Sequence, residues 1–444
     1  MLGKNPNQNQ LDLFKAALIE LLNPQHPLVS LASYLPWKPI EQKFQHLYSN
    51  TGAPSHPLRL MVGLTLLQRI YNLSDERIVQ LWKENPYFQF FCGKDTFQWQ
   101  QPCAASDLVH FRKRIGKQGI QYLFSLSIHL HHKKVQKAKE VIVDTTVQEK
   151  NVTFPTDAKL YRKVIERCNA MAKQAGFSLR QSYKFVVKKL VYAQRCTRTA
   201  KQAVKKLRTL AGRQLRDLQR NLSAAGQLEG HQQLLSVMER IVKQRKNDKG
   251  KVYSLSSPEV SCIAKGKTHK KYEFGSKVSL ATLPGSNVVV GILNYKGNPH
   301  DSKTLPSTMA MVERCCGKRF DRVIVDRGYR RCVKVGATEV ILPDRGKSMS
   351  VYERRRHKAR CRSRSSIEAI IGHLKQGHGL GRNYLKGSIG DELNGLLAGI
   401  GFNLKLLLRE LADGCTTFFV LLVKWLGRAR SQEITLDLRA YYSS

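Results

Sequence analysis

Two short runs, VIVDTTV from Val141 and VIVDRGY from Val323, set an aspartate at the same place in the same β-branched pattern. Runs of Val, Ile and Thr this short favour strands, and their near-continuous apolar character points to burial on both faces. An acid inside such a strand is expensive. An unpaired carboxylate in apolar surroundings costs several kcal/mol or gives up its charge. A chain that keeps Asp144 in one such strand and Asp326 at the end of another therefore needs a reason for negative charge there, and a bound hard cation would supply it. Mg²⁺ takes oxygen ligands, keeps several waters and is completed by substrate phosphates.

A third acid belongs with these two by its setting. Arg364, Glu368 and Lys375 are separated by four and seven residues, which puts them on one stripe of a helix. Ile367, Ile370, Ile371 and Leu374 form the neighbouring apolar stripe, so Glu368 is expected at the edge of a buried face, with Arg364 and Lys375 turned to phosphates. Taken singly, a strand acid is often only a hydrogen-bonding residue, and an Arg–Glu pair at this spacing is often an ordinary surface pair.

The charge balance names the partner. Against 33 acidic residues the 444-residue chain carries 75 Lys and Arg, a formal net charge of +42 that would repel itself unless a polyanion neutralises it. Nucleic acid is the first candidate, ahead of a ribosomal or membrane-surface partner. With 42% hydrophobic and 24% charged residues the composition is that of an ordinary globular protein, which sets aside the disordered and membrane classes. The apolar stretch from Cys415 is interrupted by Lys424 and falls short of the roughly 20 residues of a membrane span. Ten cysteines never form a C-x-x-C pair, and the N-terminus lacks an apolar signal core. Zinc is not expected, and free thiols in a reducing cytosol are.

Periodicity divides the chain into a sequence of regions. Residues 1–54 read as an N-terminal helical segment and 55–135 as a helical module of DNA-binding type, with Ser74 capping its second helix and a third helix opening near Asp107. Residues 136–154 and 251–390 carry the strand signals. Between them, 155–250 is helical and holds 23 basic against 6 acidic residues, a basic insertion. Residues 391–444 read as a C-terminal helical region. Asp301, in GNPHDSKTL, reads most simply as the cap of the helix that follows it, with contact to the acidic site as the alternative.

VIVDTTV, VIVDRGY with its D-x-G-Y form, YEFGSKVSLAT, and RSRSSIEAIIGHLKQGHGLGRNYLKG with R-x-x-x-E-x-x-x-x-x-x-K together resemble one family across nearly the whole chain. It is the DDE class of bacterial insertion-sequence transposases, of the insertion-sequence-five type. The resemblance implies an α/β fold, a ribonuclease-H-like mixed five-stranded sheet flanked by helices, with the two aspartates on adjacent central strands. It implies Asp144, Asp326 and Glu368 as catalytic residues and metal ligands, with Mg²⁺, or Mn²⁺ in its place, as two ions. Arg364, Lys375, Tyr329 and Arg382 are the expected DNA contacts. The implied partner is double-stranded DNA, both transposon ends and target, bound by a homodimer or larger homo-oligomer in the cytoplasm at the nucleoid, with no membrane. A catalytically inactive, repurposed DNA-binding protein is the alternative. One departure stands out: the family signature places a tyrosine three residues before Arg364, where this chain has Cys361, with Tyr352 and Tyr384 nearby.

Overall fold

The computed structural model describes residues 16–49, 51–194, 196–264, 271–330, 332–343 and 349–413. Its centre is one mixed sheet. Strand β1 (Glu140–Lys150) pairs antiparallel with β3 (Tyr272–Thr282), whose far edge is taken by β2 (Ser261–Ala264) and then β4 (Val289–Tyr295), both antiparallel to it. On its other side β1 runs parallel to β5 (Arg322–Ile324), which runs parallel to β7 (Thr338–Ile341). The order β4-β3-β1-β5-β7, with one antiparallel half and one parallel half, is the five-stranded ribonuclease-H-like arrangement the sequence implies. Three short strands extend it to eight: β2, β6 (Lys334–Val335) beside β7, and β8 (Arg382–Asn383) beside the end of β1.

Both acid-bearing runs fold as their composition dictates. Val141, Ile142 and Val143 in β1, and Val323, Ile324 and Val325 in and beyond β5, are fully buried. Helices cover both faces. Against one lies Asp301–Cys316, drawn close because Gly291 has no side chain: a Cβ there would meet Val312 Cγ2 at 2.6 Å. Against the other lies a helix over residues 387–413, tied to the sheet by Asn403, which exchanges 2.9 Å hydrogen bonds with the backbone N–H and C=O of Val289. Asn394 of that helix also reaches Gln148 in β1 at 3.0 Å. The C-terminal region up to residue 413 is thus a layer packed on the sheet. The apolar stretch from Cys415 lies outside the described residues.

The N-terminal helices form as expected. Leu58–Tyr71 and Asp75–Glu84 flank a left-handed Asn72, with Ser74 accepting from Arg77 N as the cap, and Ala105–His129 follows. They do not form a separate module. One apolar core runs without interruption from Leu31 and Trp82 through Phe124 to Val143, Val323 and Ile370. The four insertion helices, Asp157–Gln174, Lys184–Ala193, Thr197–Ala224 and Leu228–Lys243, instead close around a core of their own that includes Val164, Leu207, Leu218 and Met238. Among the described residues every cysteine is a free thiol, and no helix is long and apolar enough to cross a membrane.

Candidate functional site

Parallel pairing of β1 with β5 sets the two aspartates level. Ile142 faces Ile324 in the register, and each acid stands two residues further along, where β5 has ended beside the middle of β1. Asp144 stays in β1, its Oδ1 accepting from the Thr145 backbone N–H at 2.7 Å. Asp326 has left β5 and caps a single 3₁₀ turn, Arg327–Tyr329, its Oδ1 accepting from Gly328 N at 2.8 Å.

Glu368 arrives on the helix Ser366–Gly377, which packs on β1 through buried Ile367, Ile370 and Leu374. Arg364 is not on that helix. It caps the preceding one, Val351–Ser363, and from that junction its guanidinium reaches two acids. Nη1 stands 3.6 Å from Asp144 Oδ2 and Nη2 3.3 Å from Glu368 Oε1. A cationic group thus bridges two carboxylates, which is the electrostatic role a bound cation would take. The donors lining this end of the sheet are hard oxygens, as a divalent ion of the magnesium class prefers. As arranged, no group of three or more His, Cys, Asp or Glu among the described residues stands close enough to hold an ion. Glu368, with 64% of its side chain exposed, is the acid turned furthest outward.

Asp301 is placed differently from its sequence expectation. His300 caps the helix Asp301–Cys316 through Ser302 N, and Asp301 is turned inward. Its Oδ1 takes the Lys277 ammonium at 2.6 Å and the Thr145 hydroxyl at 2.8 Å. Lys277 is nearly buried, a charged residue in a strand whose other polar members, Glu273, Ser276, Ser279 and Thr282, are buried as well.

Tyr329 is a correction. Expected at the DNA, it is wholly buried and presents no surface to a ligand. Burial pushes its phenol far up, and the negative charges of Asp301, Asp144 and Asp326 push it further, with Thr304 opposing them. Arg382 lies exposed in β8 and Lys375 is half-buried in the glutamate helix. His378 is internal, bonded to Arg69 O at 2.9 Å. Cys361 sits 3.6 Å from His357 Nε2, while Tyr352 and Tyr384 are 69% and 70% exposed.

Comparison with known proteins identifies the family. Residues 16–114 match the family model "Transposase domain (DUF772)", and residues 238–404 match "Transposase DDE domain". A Rhizobium meliloti protein described as "Uncharacterized protein ORF8 in nfe locus" is 40% identical over 193 residues, which covers 43% of this chain and 93% of the relative. No solved structure matches. The second match takes in Asp301, Asp326 and Glu368, whereas Asp144 lies outside both.

Proposed function

Because this chain belongs to the DDE-type transposases, enzymes that act on DNA with divalent metal ions, we propose that Asp144, Asp326 and Glu368 are the carboxylates that hold those ions. The observation that carries it is the level placement of Asp144 and Asp326 on neighbouring parallel strands, with Arg364 linking the first of them to Glu368. The ions are Mg²⁺, replaceable by Mn²⁺, and there are two of them. When bound they would activate the attacking oxygen and stabilise the leaving one in an in-line displacement at phosphorus.

The chain's own residues do the rest. Glu368 turns inward as Arg364 gives up its place between the acids, and the released guanidinium is then a bidentate partner for a backbone phosphate. Lys375 and Arg382 position the same DNA end, since phosphate contacts fix register without reading sequence. The substrate is the terminal inverted repeats of an insertion sequence. The chain cuts strands there and joins the freed 3′-hydroxyls to target DNA, with two or more copies working together at the two ends.

The test is strand nicking of labelled end DNA by wild type, Asp144→Asn, Asp326→Asn and Glu368→Gln, alongside a binding titration and a melting curve. Each variant should fold, bind DNA and fail to cut, and wild type should stop cutting in excess chelator. A variant that cuts at near wild-type rate removes its residue from the site. Wild type that binds end DNA and never cuts would favour a DNA-binding protein without catalysis.

A further inference from the structure

Asp301 lies at the site, and its role as a helix cap is already filled by His300. Its two oxygens face different neighbours. Oδ1 is held by Lys277 and Thr145. Oδ2 looks across Gly328 at Asp326: a Cβ built on Gly328 would lie 3.0 Å from Asp301 Oδ2 and 3.0 Å from Asp326 Oδ1. Two carboxylates therefore approach over a position kept clear of any side chain. Like charges so placed repel unless a cation lies between or beside them.

Two independent observations point to a ligand here. The Tyr329 hydroxyl, on the residue after Gly328, is wholly buried and makes no hydrogen bond of ordinary geometry, Thr304 being the polar side chain that partly satisfies it. Lys277 brings a positive charge to the same place. Its ammonium is also held by Pro299 O at 2.8 Å and Asn298 Oδ1 at 3.4 Å, so it keeps partners when Asp301 turns to another cation.

We propose that Asp301 is a fourth carboxylate of the cation site, paired with Lys277 in the cation-free protein and shared with the ion beside Asp326 when one binds. This rests on the metal reading given above. Lys277 then acts as the internal competitor of the ion, and the Thr145 hydroxyl of β1 holds Asp301 against the sheet. A plain structural ion pair makes a different forecast, because both of its members would matter to stability and neither to cation affinity.

The experiment is titration of the full-length protein with Mn²⁺ alone, followed by the electron paramagnetic resonance signal of the free ion. Asp301→Asn should weaken binding by about tenfold or more, the scale seen when groups supporting a metal site are lost. Lys277→Gln should tighten it several-fold, because the competing charge is gone. The double variant Lys277→Gln/Asp301→Asn leaves no unpaired buried charge, so it guards against misfolding of the single ones. It should bind more weakly than Lys277→Gln alone. Equal affinity of those two, or shifts of the same sign in the two single variants, would overturn the proposal. An Asp326→Asn variant separates the two levels: if it loses Mn²⁺ while Asp301→Asn matches wild type, only Asp301 falls. If wild type shows no saturable binding, the metal reading falls with it.

Discussion

Substituting Gly328 with alanine adds one methyl group at the point where the carboxylates of Asp301 and Asp326 approach. The new carbon would stand 3.0 Å from an oxygen of each, whereas ordinary contact begins at 3.4 Å, so the two acids must together yield a few tenths of an ångström. Backbone preference does not blur the result. Gly328 does not adopt the left-handed conformation that would penalise alanine, and restricting the unfolded chain should by itself stabilise by about 0.4–1 kcal/mol. Crowding offsets that gain, and the melting temperature should barely move. Catalysis should move more. A misplacement of about 1 Å in a reacting constellation costs on the order of 10²-fold, so a shift of less than half that size should slow cutting roughly tenfold. Single-turnover nicking of labelled end DNA, with a melting curve beside it, reads both quantities. Cutting at the wild-type rate in a stably folded Gly328→Ala protein would refute the placement of Asp326 at the reacting centre.

Two further expectations test other parts of the molecule. Lys184, Lys188 and Lys189 lie on or at the start of one insertion helix, beside Phe185 and Tyr192, which are 75% and 74% exposed. Changing the three lysines together to Gln should weaken DNA binding and flatten its salt dependence by about 0.9 in log–log slope for each phosphate no longer neutralised. An unchanged slope would show that this face does not meet DNA. In the N-terminal helices Asp75 receives both terminal nitrogens of Arg112, at 2.7 and 2.5 Å. Burial works to raise the Asp75 carboxyl, but the hydrogen bonds and charge of Arg112 outweigh it and hold the group below its ordinary 3.8. Its contribution is therefore fully present above pH 3.8 and is lost as pH falls through the lower folded value. Asp75→Asn should destabilise at pH 7 by about 3 kcal/mol, because the buried Arg112 is left unpaired, and should flatten the acid limb of the melting curve. A melting temperature equal to wild type at pH 7 would contradict it.

The strands were legible wherever composition alone decides them. VIVD appears twice, and both copies are buried at one level of the sheet because β-branched runs have few other places to go. The Arg364–Glu368 pair followed from helical spacing. The break between the two helices at Arg364 and Ser365 did not, since both residues keep helical backbone angles and a four-residue interval has nearly the same geometry across it. Tyr329 was misassigned because a motif fixes the order of residues and not the side on which a turn presents them. The three-residue 3₁₀ turn after Asp326 folds its ring under the sheet. Lys277 was within reach of the reasoning that found the aspartates, being a charge in a strand of buried residues, but its period-two spacing from Ser279 looks like an ordinary polar face. That Asp301 meets it depends on contacts between β1, β3 and a helix far apart in the chain, which no local pattern records.

The insertion also sets an order of events at the ribosome. Strand β1 ends at Lys150, and its main partner begins only at Tyr272. At a synthesis rate of roughly 5–20 residues per second, β1 waits on the order of ten seconds for β3, and longer for β5 and the glutamate helix. Meanwhile the insertion, with a core of its own, is free to fold. The nascent chain therefore acquires its basic helical unit before its acids can converge, and a chain released before residue 366 would carry the charge of the insertion with no Glu368 to complete the site.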